Sequence, residues 1–215
     1  HPFNRHIDSQ FSSCTLSLDW EQFSPVVMSD TLLRPLLNRV IHAHYESMLL
    51  ALNHLVERGY RRIGYCMDEQ NDLVTNRRWQ AAYCVYMSNT STERVAKIPM
   101  LIAPSIQPEC LASWLKENRI EAFVSAMPNI KSILQAIGFR LGDGVAYADL
   151  DLDIDSDNHA GISGINQNSL HFGHASVDLV INGILKNEHG IPRNPLTLQI
   201  EGTWCDRGST PVRSK

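Results

Sequence analysis

The sequence has no long apolar run, no large excess of one charge and no regular cysteine spacing, and each absence excludes a class of protein. No apolar run approaches the ~18 residues that cross a bilayer, which excludes a membrane-spanning helix and a membrane partner. Residues 1–6 lack the apolar stretch of a signal peptide, so we expect no secretory signal. With 215 residues, 43% hydrophobic and 20% charged, the chain can form one large domain or two small lobes.

The charge balance and the cysteines argue against nucleic-acid binding and against disulfides. The net charge of −4 comes from 19 basic and 23 acidic residues, which leaves few clustered cations for phosphate contacts. The cysteines are odd in number and form no C-x-x-C pair, which excludes a disulfide framework and a zinc ribbon. We therefore expect buried, reduced thiols and a cytoplasmic protein. The five cysteines are Cys14, Cys66, Cys84, Cys110 and Cys205.

Loops that hold nucleotides or nucleophiles also fail to match. The dinucleotide loop G-x-G-x-x-G is approached only by Gly142-Asp143-Gly144, where Tyr147 takes the place of the third glycine. The segment Gly161–Ile165 has its second glycine one position too early for the hydrolase pattern G-x-S-x-G. We expect neither a cofactor nor an enzymatic activity.

Three groups of residues are candidates for metal binding, and none has the spacing of a known site. His171 and His174 lie three positions apart, and His42 and His44 lie two apart. Aspartates occupy every second position from 149 to 157, but a calcium loop also needs glycine in sixth place and glutamate in twelfth. We expect no metal and interpret the acidic run as a solvated loop, because like charges repel when buried together.

Hydrophobic periodicity predicts an α/β fold with parallel sheets. From Glu46 to Arg58, apolar residues recur at three- and four-residue steps, as on one face of a helix. Gly59 then stands where a left-handed C-cap belongs, and the apolar run Ile63–Met67 predicts a buried strand. Helix, glycine, turn and strand together are half of the repeating unit of a parallel sheet.

The same alternation continues along the chain. It predicts further helices at residues 75–88, 108–118, 128–138 and 169–185, and further strands at 99–103, 121–126, 144–148 and 196–200. The first 40 residues are less regular. They predict two short strands, one with Leu16, Leu18 and Trp20 and one at Val26–Met28.

Polar residues near the ends of predicted strands are the candidate binding groups. Asp149 lies at the carboxyl end of a strand, where open α/β sheets bind ligands, and its carboxylate can accept hydrogen bonds from hydroxyl groups. Arg78 carries a planar guanidinium that can bind vicinal hydroxyls or a carboxylate, and Trp79 offers a face for a sugar ring. A surface arginine and a core tryptophan are the structural alternatives.

In their order along the chain, these segments resemble the effector-binding core of the lactose/galactose-repressor family of bacterial transcription regulators. Residues 51–65 are similar to the family's A-x-x-H-L-x-x-x-G-H-R-x-I-G-Y signature, with Tyr60 in place of the usual histidine. Gly144–Asp149 resembles the strand that ends in the family's pocket aspartate, and Arg78 stands where the family has its effector-binding arginine. The resemblance continues through Ile165–Gln167 and Phe172–Val177 to Trp204–Thr210.

The resemblance implies a two-lobed, periplasmic-binding-protein-like fold whose first lobe is incomplete. Residues 1–71 and 167–190 are expected to form the first lobe, and residues 72–166 and 191–215 the second. In this family a helix-turn-helix, a hinge and a first β-α-β unit precede the matching part. We therefore expect a fragment that contacts DNA only through a helix-turn-helix it does not itself contain.

The resemblance also implies a function, in which a small sugar-like effector binds between the lobes and shifts the DNA-binding state. Asn129 is carried over from a family Asn-Asp pair, for which this chain has Met127-Pro128-Asn129. The expected effector-binding residues are Arg78, Asp149, Gln167, Asn129 and Trp79.

A homodimer is expected from the same resemblance. The apolar stripe of the helix after Pro128 is either its interface or the packing of that helix on its own sheet. Two other classes stay open at this point. One is the solute-binding protein of a sugar transporter, and the other is a sugar-modifying enzyme.

Overall fold

The computed structural model describes residues 16–91, 93–141 and 144–213, and the chain divides into two compact units. Unit 1 is His1–His42 with Asn168–Ile200, and unit 2 is Ala43–Gln167 with Glu201–Lys215. The helix and strand between residues 44 and 68 thus belong to unit 2, whereas the lobes expected from the sequence divide at residue 71. They join unit 2 because their strand is hydrogen-bonded between two other strands of that unit.

Unit 2 is built on a mostly parallel sheet. Its strands are β3 (Ile63–Asp68), β4 (Leu101–Ala103), β5 (Ala122–Ser125), β6 (Arg140–Leu141), β7 (Gly144–Asp149), β8 (Ser163–Asn166) and β10 (Thr203–Cys205). Six of them follow the order β10-β8-β7-β5-β3-β4, and β6 pairs with β7. Only β10 is antiparallel to its neighbour among the described strands of this sheet. All the other strands therefore end at one carboxyl edge.

Helices cover both faces of this sheet. They are α1 (His44–Glu57), α2 (Glu69–Val74), α3 (Arg78–Asn89), α4 (Pro108–Glu117) and α5 (Ile130–Ala136). One core joins α1 and α3 to strand residues such as Tyr65 and Val124, and the other joins α4 and α5 to Phe123 and Tyr147. Neighbouring strand residues enter opposite cores because side chains alternate across a strand.

Two positions of unit 2 require glycine, one because of its positive φ and the other because two strands approach closely. Gly59, with φ of +91°, follows α1 in the predicted left-handed cap, and Tyr60 N–H donates to the Leu55 carbonyl across it. Gly164 lies in register with Asp149, and a Cβ there would stand 2.1 Å from the Asp149 carbonyl oxygen. Only glycine lets β8 approach β7 so closely at this point.

Unit 1 contains a smaller parallel sheet with the order β1-β2-β9. Its strands are β1 (Val26–Val27), β2 (Asn38–His42) and β9 (Thr197–Ile200), and the long helix α6 (Ser169–Leu185) packs on it. The core of this unit is formed by Val40, Phe172 and Ile200. The outer side of α6 is apolar and exposed at Leu170, Val177, Ile181, Ile184 and Leu185.

Most elements predicted from periodicity are confirmed, and the errors have local causes. The helix predicted from Thr75 begins instead at Arg78, because Thr75 follows the separate short helix α2 and its hydroxyl bonds back to the Asn71 and Asp72 carbonyls. The strand expected around Leu18 is wrong, since Trp20–Gln22 forms a 3₁₀ turn. The sequence did not predict four strands, which are short or only half-apolar: β2, β6, β8 and β10.

The structure also corrects the expectation of buried cysteines and decides between the two interpretations of the apolar stripe of α5. The cysteines of the described ranges are free thiols, but only Cys66 is buried, because Cys84 and Cys110 lie on outward-facing helix positions; Cys14 lies outside the described residues. The apolar stripe of α5, including Ile130, Ile133 and Leu134, is buried in the core against its own sheet and is not available to a partner. No helix in the described part of the chain is long and apolar enough to span a membrane.

Candidate functional site at the carboxyl edge of unit 2

The fold brings the predicted binding residues to one edge of one sheet. Arg78 begins the helix α3 that follows β3, Asn129 follows β5, Asp149 ends β7 and Gln167 follows β8. These four strands are parallel, so the positions after their carboxyl ends meet at the same edge. In open α/β sheets this is the edge at which ligands bind.

Arg78 is presented by an unusual backbone turn. Asn76 and Arg77 both have positive φ, of 52° and 55°, and Arg78 follows them as the first residue of α3. Non-glycine residues adopt this conformation rarely, and such strain is concentrated at binding and catalytic sites. Arg78 itself is half-buried. The turn therefore determines where the backbone of Arg78 enters α3.

Asp72, which sequence reasoning missed, stands behind this turn. It is 0% exposed, accepts a hydrogen bond of 3.1 Å from Tyr65 Oη and lies 3.6 Å from the Arg77 guanidinium. Burial raises the pKa of Asp72 above its ordinary value, while Tyr65 and Arg77 act in the opposite direction. No sequence pattern singles out this aspartate, because its burial depends on the fold of α2 against β3.

Trp79 occupies the core position that the sequence left as an alternative. It is 2% exposed and packs edge-on against the His44 ring at 4.7 Å between ring centroids. A tryptophan in this position has no open face for a sugar ring. Its contribution at this edge is to hold α3 and the adjacent Arg78 in place.

Asp149 is sealed inside the protein with both of its oxygens engaged. The side chain is 1% exposed; Tyr147 Oη donates to Oδ2 at 2.6 Å and the Asp151 backbone N–H donates to Oδ1 at 2.8 Å. Burial raises the pKa of Asp149 to about 6, against the hydrogen bonds from Tyr147 and Asp151 and the nearby His159. The carboxylate is thus used within the chain.

Arg78 and Asp149 are carried by opposite faces of the sheet. Asp149 is two positions from Tyr147 and bonds to it, so both side chains are on the face covered by α4 and α5. Arg78 begins α3, which packs on the other face together with α1. Arg78 and Asp149 therefore lie at the same edge of the sheet but on opposite faces, and they do not form one binding surface.

The remaining predicted residues differ in exposure. Gln167 is 4% exposed and its amide donates to the Leu150 carbonyl at 2.8 Å, so it holds the segment after β7. Asn129 is exposed at the start of α5, and its side chain makes no capping hydrogen bond. Of the five residues, Asn129 and Arg78 have side chains that reach the surface.

The residues considered for metal binding have other environments. His42 stacks on Phe172 at 4.3 Å between ring centroids, and no group of three potential metal ligands occurs within residues 16–91, 93–141 and 144–213. The acidic run behaves as a solvated loop, because Asp151, Asp153, Asp155 and Asp157 are all exposed. Asp149 is its buried exception.

Unit 1 contains two grooves of its own, of about 490 and 590 Å³. The larger one is lined mainly by apolar side chains such as Trp20, Phe23 and Ile184. None of the five predicted binding residues lines either groove. The grooves therefore lie in unit 1, whereas the strained turn and Arg78 lie in unit 2. We base the candidate site on Arg78, because a charged side chain is a more specific indication of a polar ligand than the volume of a groove.

The fold has counterparts among solved structures, although no family model and no curated protein matches the sequence. A LacI family transcriptional regulator from Enterococcus faecium with bound ribose aligns with a TM-score of 0.61 and 14% identity, over 88% of this chain and 71% of that one. The complex of the transcriptional regulator CelR with cellobiose aligns with a TM-score of 0.57 and 16% identity, over 86% of this chain and 57% of that one.

A third similar structure is the lac repressor dimer bound to operator and the anti-inducer ONPF. It aligns with a TM-score of 0.62 and 17% identity, over 86% of this chain and 56% of that one. These alignments confirm the predicted periplasmic-binding-protein-like α/β fold. The chain spans between 56% and 71% of the length of these three proteins.

Proposed function

We propose that this chain is the ligand-sensing part of a bacterial transcription regulator, and that it binds a small, hydroxyl-rich effector at the carboxyl edge of unit 2. The observation that carries the proposal is Arg78, held at this edge by two consecutive left-handed residues. The fold supports the class, since regulators that share it are known with ribose and with cellobiose bound.

The residues at this edge take different parts in the proposed binding. Arg78 makes the charged contact, because a guanidinium can donate two parallel hydrogen bonds to neighbouring hydroxyl oxygens. Asn129 adds an exposed amide at the same edge. Trp79, Gln167 and Asp149 are buried and support these groups from within the unit. Binding that favours one conformation then shifts the equilibrium of the whole regulator.

A thermal-shift screen tests the proposal with neutral mono- and disaccharides, including ribose and cellobiose. A sugar at 100 times its dissociation constant stabilises the chain by about 2.7 kcal/mol, which is several degrees in Tm. Arg78→Ala should abolish this shift, whereas Arg94→Ala, an exposed arginine elsewhere in unit 2, should preserve it. An unchanged shift in Arg78→Ala would remove this residue from the site.

Coupling to DNA and dimerisation belong to the same proposal. A helix-turn-helix encoded directly upstream would support a regulator, while an export signal there would favour the solute-binding protein of a transporter. The regulators similar in fold favour the first reading. We propose a homodimer formed by surfaces other than the buried stripe of α5, and a monomer mass in light scattering at high concentration would contradict it.

A further inference from the structure

Asp149 lies at the centre of a buried hydrogen-bond network that joins neighbouring strands at their carboxyl ends. Tyr147 and the Asp151 N–H each donate to one carboxylate oxygen, at 2.6 and 2.8 Å. The Leu150 N–H donates to the Ser125 carbonyl at 2.8 Å, which links the same segment to β5. The loop of residues 150–161 is thus attached to the sheet at its first two residues.

The attachment is continued on the other side of β7. Gln167, directly after β8, donates to the Leu150 carbonyl at 2.8 Å, and the Leu152 N–H donates to the Ile165 carbonyl at 2.9 Å. Together with the Asp149 contacts, these bonds determine where the loop leaves the edge of the sheet. This is the edge that carries the proposed effector site.

Ser125 faces Asp149 from the adjacent strand without bonding to it. It is 0% exposed, lies in register with Asp149, and its hydroxyl has no hydrogen-bond partner among the described residues. The Asp149 carboxyl group therefore accepts its hydrogen bonds from Tyr147 and Asp151. An ionised carboxylate accepts both of these bonds more strongly than a protonated carboxyl group does.

The groups that face Asp149 come from three elements. Tyr147 lies on β7, Asp151 follows in the loop, and His159 belongs to the 3₁₀ turn Asp157–His159 within the same loop. The pKa of Tyr147 is raised by burial and by Asp149, so the tyrosine stays protonated and remains the donor. Asp149 is therefore the group of this network that changes charge near neutral pH.

We propose that Asp149 is a proton-responsive positioning residue of the effector site and does not itself contact the effector. As a carboxylate it holds the Asp151 N–H by a charge-assisted bond and keeps the loop against β7. Once protonated, it becomes a weaker acceptor for the Asp151 N–H and releases the start of the loop. The link to effector affinity rests on the function proposed above, while the movement of the loop does not.

Amide hydrogen exchange of the intact chain tests the movement of the loop without any ligand. Between pH 7.5 and pH 5.0 the protection factor of the Asp151 amide should fall about tenfold, because its bond to a charged acceptor weakens. The Leu150 amide, which donates to the Ser125 carbonyl, is the internal control and should keep its protection. Equal protection of Asp151 at both pH values would overturn the proposal.

Three variants separate the proton switch from a merely structural role. Asp149→Asn should make the protection of Asp151 independent of pH. Ser125→Ala removes a neighbouring hydroxyl that makes no hydrogen bond within the described part of the chain, so it is the control and should leave the midpoint of the loosening unchanged. Tyr147→Phe keeps the carboxyl group but removes one donor to its ionised form, so the loosening should move to higher pH. If the midpoint stays the same in Tyr147→Phe, the network does not control the loop.

The ligand measurement uses whichever sugar of the screen stabilises the chain at pH 7.5. Its affinity should fall about fivefold or more at pH 5.0 in the unchanged protein and stay constant in Asp149→Asn. Constant affinity together with pH-dependent protection of Asp151 would overturn the positioning role. Failure of ribose, cellobiose and every other sugar to bind would overturn the proposed function, and the exchange result would still decide the behaviour of the loop.

Discussion

Two strands of unit 2 each place a tyrosine hydroxyl against a buried aspartate, and the pairs differ in what else reaches the carboxylate. On one face, Tyr65 donates to Asp72 at 3.1 Å, and the Arg77 guanidinium lies 3.6 Å from the same carboxylate. On the other face, Tyr147 donates to Asp149 at 2.6 Å, with a backbone N–H as its second donor. One buried carboxylate has an arginine within ion-pair distance, whereas the other has two hydrogen-bond donors and His159 in the neighbouring loop.

This difference separates two uses of a buried carboxylate. The Asp72 pair lies behind the strained turn that presents Arg78, and there Tyr65 and Arg77 oppose the rise that burial causes in the pKa of Asp72. The Asp149 pair has no such cation in its hydrogen-bond network, and burial raises its pKa to about 6. The first is suited to constant geometry and the second to a response to pH.

The largest effect is expected where β8 closes over Asp149. In Gly164→Ala the new Cβ would stand 2.1 Å from the Asp149 carbonyl oxygen, so one of the two strands must move. We expect a loss of about 4 kcal/mol in the free energy of unfolding, measured by urea denaturation. Gly173→Ala, at a helical position where no atom of another segment lies within 4 Å of the new Cβ, is the control and should not destabilise.

The next effect is the pH dependence of Asp149. Its pKa rises from 3.8 to about 6 on folding, so the folded state binds the proton more tightly and loses stability as pH rises from 4 to 6. Relative to Asp149→Asn, the unchanged protein should lose about 2 kcal/mol over this range and little more above it. Urea denaturation at pH 4.5, 5.5, 6.5 and 7.5 measures the difference, and a constant difference would contradict the raised pKa.

Removing each tyrosine hydroxyl compares the two pairs directly. Tyr147→Phe should cost about 2 kcal/mol at pH 7.5, because a buried charge loses the Tyr147 hydroxyl and keeps the Asp151 N–H as a donor. Tyr65→Phe should cost about 1 kcal/mol, because Arg77 still faces Asp72. Tyr83→Phe, whose hydroxyl donates to the Ile63 carbonyl at 3.0 Å, is the matched control with a neutral acceptor. A larger loss in Tyr65→Phe than in Tyr147→Phe would reverse the comparison.

The smallest effect belongs to an aspartate at the surface. Arg58 donates to Asp206 at 2.6 Å and holds the pKa of Asp206 below its ordinary value, but the aspartate side chain is 52% exposed. Asp206→Asn should cost less than about 1 kcal/mol at pH 7 because solvent screens the pair. This contribution disappears as pH falls below 4, the opposite sign to Asp149. Extending the urea series to pH 3 checks both signs, and an equal cost at pH 3 and pH 7 would contradict an ionic contribution.

The comparison also separates what could be predicted for the site from what could not. The positions of Asp149 and Arg78 after predicted strands indicated the carboxyl edge of the sheet, because parallel strands share their direction, whereas Asn129 and Gln167 were candidates only through the family resemblance. Position along the strand could not show that Asp149 is buried and hydrogen-bonded to Tyr147, since in the sequence Tyr147 resembles any core aromatic residue. Asp72 was missed for the related reason that its burial needs α2 to fold back on β3.

The sequence by itself determined the α/β class, most helices and strands, and the order of segments that marks the periplasmic-binding-protein-like fold, because periodicity and glycine or proline positions act locally. Only the tertiary structure decided that residues 43–71 belong with the second half of the chain and that the stripe of α5 is internal. It also decided which carboxylates face water. These outcomes depend on contacts between segments that are distant in the sequence. Such contacts determine burial and pKa, and the periodicity of the sequence does not show them.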